Sequence, residues 1–230
     1  MRLPKIENYD TSSNKTTITL GKLEFSRYFY NLGHNKDRDK FIKTVEKLVR
    51  SSLEYRDLIN YLKTKMGMNF CSFFHKISKD NFSGYNRIGI EIHHEPFTLY
   101  DIVSIILQDH IKNKPDWERV DVMRIAQKTM RVHYEGIVGL IPLSTTVHEL
   151  VHSGKIFIPL QFIDEGFNTF FVRYKDSIKE MDGLKDMLKV KMELSKEFEK
   201  DPDQFISILK KKYIYVVNEG YTSIPDKIED

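Results

Sequence analysis

Two histidine pairs stand far apart in this chain: His93 beside His94 in RIGIEIHHEP (87–96), and His148 with His152 in VGLIPLSTTVHELVHSGKIFI (138–158). Neutral imidazole is the commonest nitrogen donor to divalent transition metals, and three such ligands leave a position open for water or a phosphate oxygen. Metal-assisted hydrolysis is the chemistry these residues suggest. Any one of the four alone reads more simply as a satisfied core or surface group. The i, i+4 spacing of the second pair, together with the adjacent first pair, carries the argument.

The elements that must position them are legible from pattern. Ile88, Ile90 and Ile92 alternate with Gly89, Glu91 and His93, the period of a half-buried strand, and Pro96 ends it. The second stretch starts as an apolar run, breaks at Pro142 and enters a helix at Ser144, Thr145 and Thr146. Thr146 with Glu149 has capping-box spacing, and Gly154 closes the helix. On that helix His148 and His152 lie one above the other. A strand ending in His-His, a second strand and a short helix make a ββα unit.

These residues resemble the HNH nuclease motif in its colicin-DNase form, in which a strand ends in His-His and a later segment enters a helix carrying HxxxH. They are also similar to HNH-like proteins of tailed phages. Carried over by position, the resemblance implies His93, His148 and His152 as ligands of one divalent metal ion (Zn, Mg, Mn or Ni). It implies His94 as general base, and DNA, double-stranded, as partner. Position 139 holds glycine where the family places an asparagine that orients the base. Glu91, Glu95 and Glu135 are the neighbours that could substitute for it. No cofactor other than the metal is implied.

A rival reading uses the same helix. His148-Glu149-Leu150-Val151-His152 matches HExxH, which in zinc peptidases puts two ligands and a catalytic glutamate on one helix. Glu165, in the IDEGF segment, would be the third ligand. That reading leaves His93 and His94 without a role. A third, non-catalytic reading is a phage structural or regulatory protein whose histidines only pin the fold.

Composition sets the limits. A chain of 230 residues, 40% hydrophobic and 30% charged, is long enough for one sizeable domain. The single cysteine, Cys71, excludes intrachain disulfides and cysteine-rich zinc sites, so a metal must rely on histidine and carboxylate. No stretch approaches the roughly 20 apolar residues of a membrane span, and the cytoplasm, the host's if the protein is phage-encoded, is the expected location. A net charge of +3 is compatible with nucleic acid without requiring it. Lys36, Arg38, Lys40 and Lys43, and Lys210 to Lys212, are the basic clusters, each read first as a solvated face.

The expected fold class is α+β: a mostly helical domain built around the ββα-metal unit. Region 1–86 holds a hairpin around Gly21 and two helices jointed near Ser51 and Ser52. Region 87–158 is the metal unit, with a helical insertion over 98–134. Region 159–230 is helical. Within the insertion, Thr98 and Asp101 start one helix, and Asp116 is expected to cap a second. An extended aromatic piece should follow Gly154, then a helix to Tyr174, a long charged helix over 177–199, a short one after Asp201 and a strand near Tyr213. Phe70 to Phe74 reads as core. His34, His75, His110 and His133 are isolated and read as structural or solvent-facing.

Overall fold

The computed structural model describes residues 15–20, 23–28, 30, 32–73, 89–113, 120–163, 166–201, 216–217 and 220–221. The fold is α+β and mostly helical. In chain order the elements are β1 (Lys15–Leu20), β2 (Leu23–Tyr28), α1 (Asn35–Ser51), α2 (Leu53–Thr64), β3 (Ile90–His94), α3 (Leu99–Lys112) and α4 (Val122–Tyr134). Then come β4 (Leu140–Ser144), α5 (Thr145–His152), a 3-10 turn (Leu160–Phe162), α6 (Gly166–Lys179), α7 (Asp182–Lys200), β5 (Val216–Val217) and β6 (Gly220–Tyr221). The described strands form two-stranded antiparallel pairs, β1 with β2, β3 with β4 and β5 with β6.

The chain divides into two compact units, Met1–Asp57 with Leu99–Tyr134, and Leu58–Thr98 with Glu135–Asp230. In the first, Phe41, Val45, Ile102, Ile106 and Ile125 are sealed from solvent, as expected where the apolar stripes of helices meet. Arg38 donates to Gln108 at 2.8 Å and Tyr100 donates to Asp39 at 3.0 Å. Burial and that carboxylate push the Tyr100 hydroxyl up to about 12. The joint between α1 and α2 is Ser52, whose hydroxyl accepts from the Tyr55 amide at 3.1 Å.

The second unit holds the β3–β4 ladder. His93 faces Ile141, Glu91 faces Leu143 and Ile92 faces Pro142. Pro142, expected to break the run, lies inside β4 instead. Its carbonyl accepts from Ser72 at 2.9 Å, so its polar edge points away from β3, where a missing N–H costs no ladder bond. Cys71, Phe73, Ile141, Leu143, Val147 and Ile158 are part of the core beneath this ladder and α5.

The start of α4 differs from expectation, while the break at Tyr174 and the piece after Gly154 follow it in part. Asp116 lies outside the described residues, and α4 begins at Val122 with Asp121 accepting from the Met123 amide at 2.9 Å. α6 kinks at Tyr174, where the helix was expected to end and where φ −110 and ψ 15 are not helical, and a further helical stretch runs on to Lys179. The chain then breaks at Met181 before α7, and Ser177 and Ile178 are buried on the stretch before that break. The extended aromatic piece after Gly154 ends in a 3-10 turn, with Pro159 still extended at φ −61 and ψ 138. His75, the helix expected after Asp201, and Lys210 to Lys212 lie outside the described residues.

Candidate metal centre

Each imidazole owes its position to a local device. Ser144 caps α5, its hydroxyl accepting from the Val147 amide at 3.4 Å; Thr146 and Glu149 are already inside the helix and do not form the expected box. Thr145 ties the start of α5 to the start of β3, its amide and hydroxyl donating to the Gly89 carbonyl at 3.0 and 3.2 Å. α5 is thereby fixed against the strand that carries His93. Gly154, at φ +72, takes the left-handed turn that ends the helix.

His148 and His152 lie one turn apart, edge to face, with their Nε2 atoms 3.0 Å from each other. The His93 ring lies 4.9 Å from that of His148 and 5.2 Å from that of His152, centroid to centroid. The ligand-capable atoms of all three fall within 4.8 Å of one another. His93 is buried, His148 half-buried and His152 exposed, so the cluster opens toward solvent on the helix side.

Two carboxylates back the cluster. Glu91, two residues before His93 and on the same strand face, accepts from Nδ1 of His148. Glu95, only 4% exposed, lies with Oε2 3.4 Å from Nε2 of His93. Its other oxygen pairs with Nζ of Lys191 on α7. Burial pulls the Lys191 ammonium down to about 8, an effect its own ion pair opposes.

His94 is not part of the cluster. It pairs with Leu140 across the ladder and is 5% exposed, and alternation along the strand carries its side chain to the face opposite His93. The glycine at 139 has a steric cause. A Cβ there would stand 1.8 Å from the Glu95 carbonyl oxygen and 2.8 Å from Cγ2 of Ile163, while the Glu95 amide donates to the Gly139 carbonyl at 3.1 Å. No side chain fits at the position where the resembling family keeps its asparagine.

The remaining candidates are placed as follows. Glu149 is exposed, and Glu165 lies outside the described residues. The group that joins His148 and His152 is His93, from the strand. Glu135 is engaged by Arg173. His110 and His133 are buried, with Lys128 3.0 Å from Nδ1 of His110 and the Thr129 carbonyl 2.6 Å from Nδ1 of His133. Lys43 pairs with Asp39 at 2.8 Å. Glu91 could be found from sequence by its two-residue spacing from His93; Lys191 gave no such signal.

Among the described residues no helix is long and apolar enough to cross a membrane. Comparison with curated proteins and with solved structures finds no match to this chain. A family model described as Bacteriophage G278-like virion protein matches residues 3–220. That span takes in both histidine pairs, the carboxylates behind them and Lys191, and the chain belongs to the Bacteriophage G278-like virion protein family.

Proposed function

We propose that this phage protein carries a divalent-metal site of the HNH-like ββα kind at His93, His148 and His152, and that it hydrolyses phosphodiester bonds of double-stranded DNA. The observation that carries this reading is the convergence of three imidazoles from a strand end and a short helix within 4.8 Å. The donor set fits a cation. Two Nε2 atoms 3.0 Å apart must share either a proton or a positive ion, and the Glu91 carboxylate at Nδ1 of His148 favours the tautomer whose Nε2 lone pair faces the cluster. Zinc, magnesium, manganese and nickel are all admitted by this donor set, with the nitrogen ligands favouring the transition metals.

A bound divalent cation would polarise a phosphodiester and stabilise charge on its leaving oxygen. The chain's own part is to hold the three rings, to back two of them with carboxylates, and to leave His94 outside the ligand set. An imidazole that is not a ligand keeps a lone pair that can take a proton from water.

The virion description of the family and the closed position at Gly139 favour a second reading, in which the cation pins a structural component of the particle. Supercoiled plasmid separates the two. Full-length protein with Mn2+, Ni2+, Zn2+ or Mg2+ should nick it. His148→Ala should abolish nicking, His94→Ala should slow it about 100-fold or more, and Glu149→Ala should leave it unchanged. Should none of the four ions support nicking while metal still raises the melting temperature, the structural reading replaces the nuclease. Casein cleavage lost in Glu149→Ala would instead establish the peptidase.

A further inference from the structure

We infer that Lys191 of α7 and Glu95 form a positioning pair for the His93 imidazole, so that the helical segment beyond the ββα unit is an integral part of the metal centre. The inference rests on the metal-site reading above and adds to it a residue from outside the motif.

Glu95 sits just past the end of β3, and its backbone has no freedom, because its amide donates to the Gly139 carbonyl at 3.1 Å and its own carbonyl lies against the Cα of Gly139. Its side chain is buried, with one oxygen 3.4 Å from Nε2 of His93 and the other paired with Lys191. A buried carboxylate without a cation is strongly disfavoured, and Lys191 supplies that cation. The carboxylate can then receive a ring N–H from His93, which fixes the tautomer and turns the other ring nitrogen outward.

Lys191 is held in place by the helix that bears it. One turn further along α7, Ser195 accepts from the Leu160 amide at 3.0 Å through its hydroxyl, and from Gln161 at 3.2 Å through its carbonyl. The Phe198 ring packs edge-on against Phe162 with centroids 5.2 Å apart. α7 is therefore docked beside the segment that follows α5, and the ammonium at 191 follows from that docking. The contact spans 96 positions of chain and belongs to no local motif.

Cobalt(II) titration of the full chain, read by visible absorption, tests this apart from any activity. Carboxylates behind metal-bound histidines are worth about 10–100-fold in affinity, so Glu95→Gln should weaken Co2+ binding by that factor. Lys191→Met should do likewise and Lys191→Arg should restore most of the loss. In the metal-free chain, the 15N ring resonances of His93 should move in Glu95→Gln while those of His133 stay in place. If either single variant fails to fold, the neutral pair Glu95→Gln with Lys191→Met leaves no lone buried charge and takes its place, with the same weakening expected. Wild-type affinity in a folded Glu95→Gln chain, or in that double variant, overturns the inference while leaving the metal site standing. Absence of Co2+ binding by the wild-type chain removes the site and the inference together.

Discussion

Gly139 shows how one residue can change meaning between sequence and structure. Set against the HNH-like pattern, it reads as a lost side chain, to be restored as asparagine. The geometry argues the reverse, because a Cβ at 139 would stand 1.8 Å from the Glu95 carbonyl oxygen, an overlap that only movement of backbone could relieve. Overpacking of that kind costs about 1–3 kcal/mol or more. Gly139→Asn should therefore lower stability by at least that amount and weaken metal binding, because the strand end bearing His93 would have to shift. Urea unfolding of Gly139→Ala alongside Gly139→Asn checks the cause, since both must suffer if the Cβ is at fault. A stable Gly139→Asn with enhanced nicking would show the close approach to be dispensable.

At the scale of the element, α4 carries a titratable group that sets a pH dependence. His133 is 3% exposed, packs edge-on to Tyr55 at 5.9 Å between centroids and gives its Nδ1 proton to the Thr129 carbonyl at 2.6 Å. Burial lowers its pKa from 6.5 to about 4. Between those values the unfolded chain takes up a proton that the folded chain refuses, so the stability is whole above pH 6.5 and is lost as pH falls toward 4. The loss from this group between pH 7 and pH 5 is about 2 kcal/mol. Urea unfolding at the two pH values should show that difference, and His133→Leu should remove it. An undiminished difference in the variant would assign the pH dependence elsewhere.

The same helix shows where sequence pattern stops being informative. Its apolar stripe, with Ala126 and Met130 among the buried positions, is plain from the 3.6 period, but its start is not, because the pattern offered Asp116 whereas the Met123 amide donates to Asp121. The joint at Ser51 and Ser52 and the left-handed stop at Gly154 were legible because serine and glycine act locally. Pro142 misled for a matching reason. Proline breaks a central strand, yet the penalty vanishes when its edge faces away from the partner, and only the pairing with Ile92 shows that. The grouping of His93, His148 and His152 was readable because strand alternation and the i, i+4 step each bring imidazoles to one face. Lys191 was not, since no periodicity links position 95 to position 191.

For the whole molecule, the division of the chain carries a consequence for how metal should act. His93, His148 and His152, with Glu91, Glu95 and Lys191, all belong to the unit formed by Leu58–Thr98 and Glu135–Asp230. The other unit has a core of its own, with Phe41, Ile102 and Ile125 fully buried, and contains none of them. A ligand that binds only the folded form of one unit stabilises that unit, by about 2.7 kcal/mol at a free concentration 100 times its dissociation constant. Amide exchange reads this element by element, because local opening and sub-global opening report separate free energies. With Zn2+ at that excess, amides of β3, β4 and α5 should exchange about 100-fold more slowly. The same slowing should reach α7 if Lys191 ties that helix to the centre, whereas α3 and α4 should keep their metal-free rates. Equal slowing in α3 and α4 would mean that the two units open as one. Slowing confined to β3, β4 and α5 would separate α7 from the site and count against the role given to Lys191.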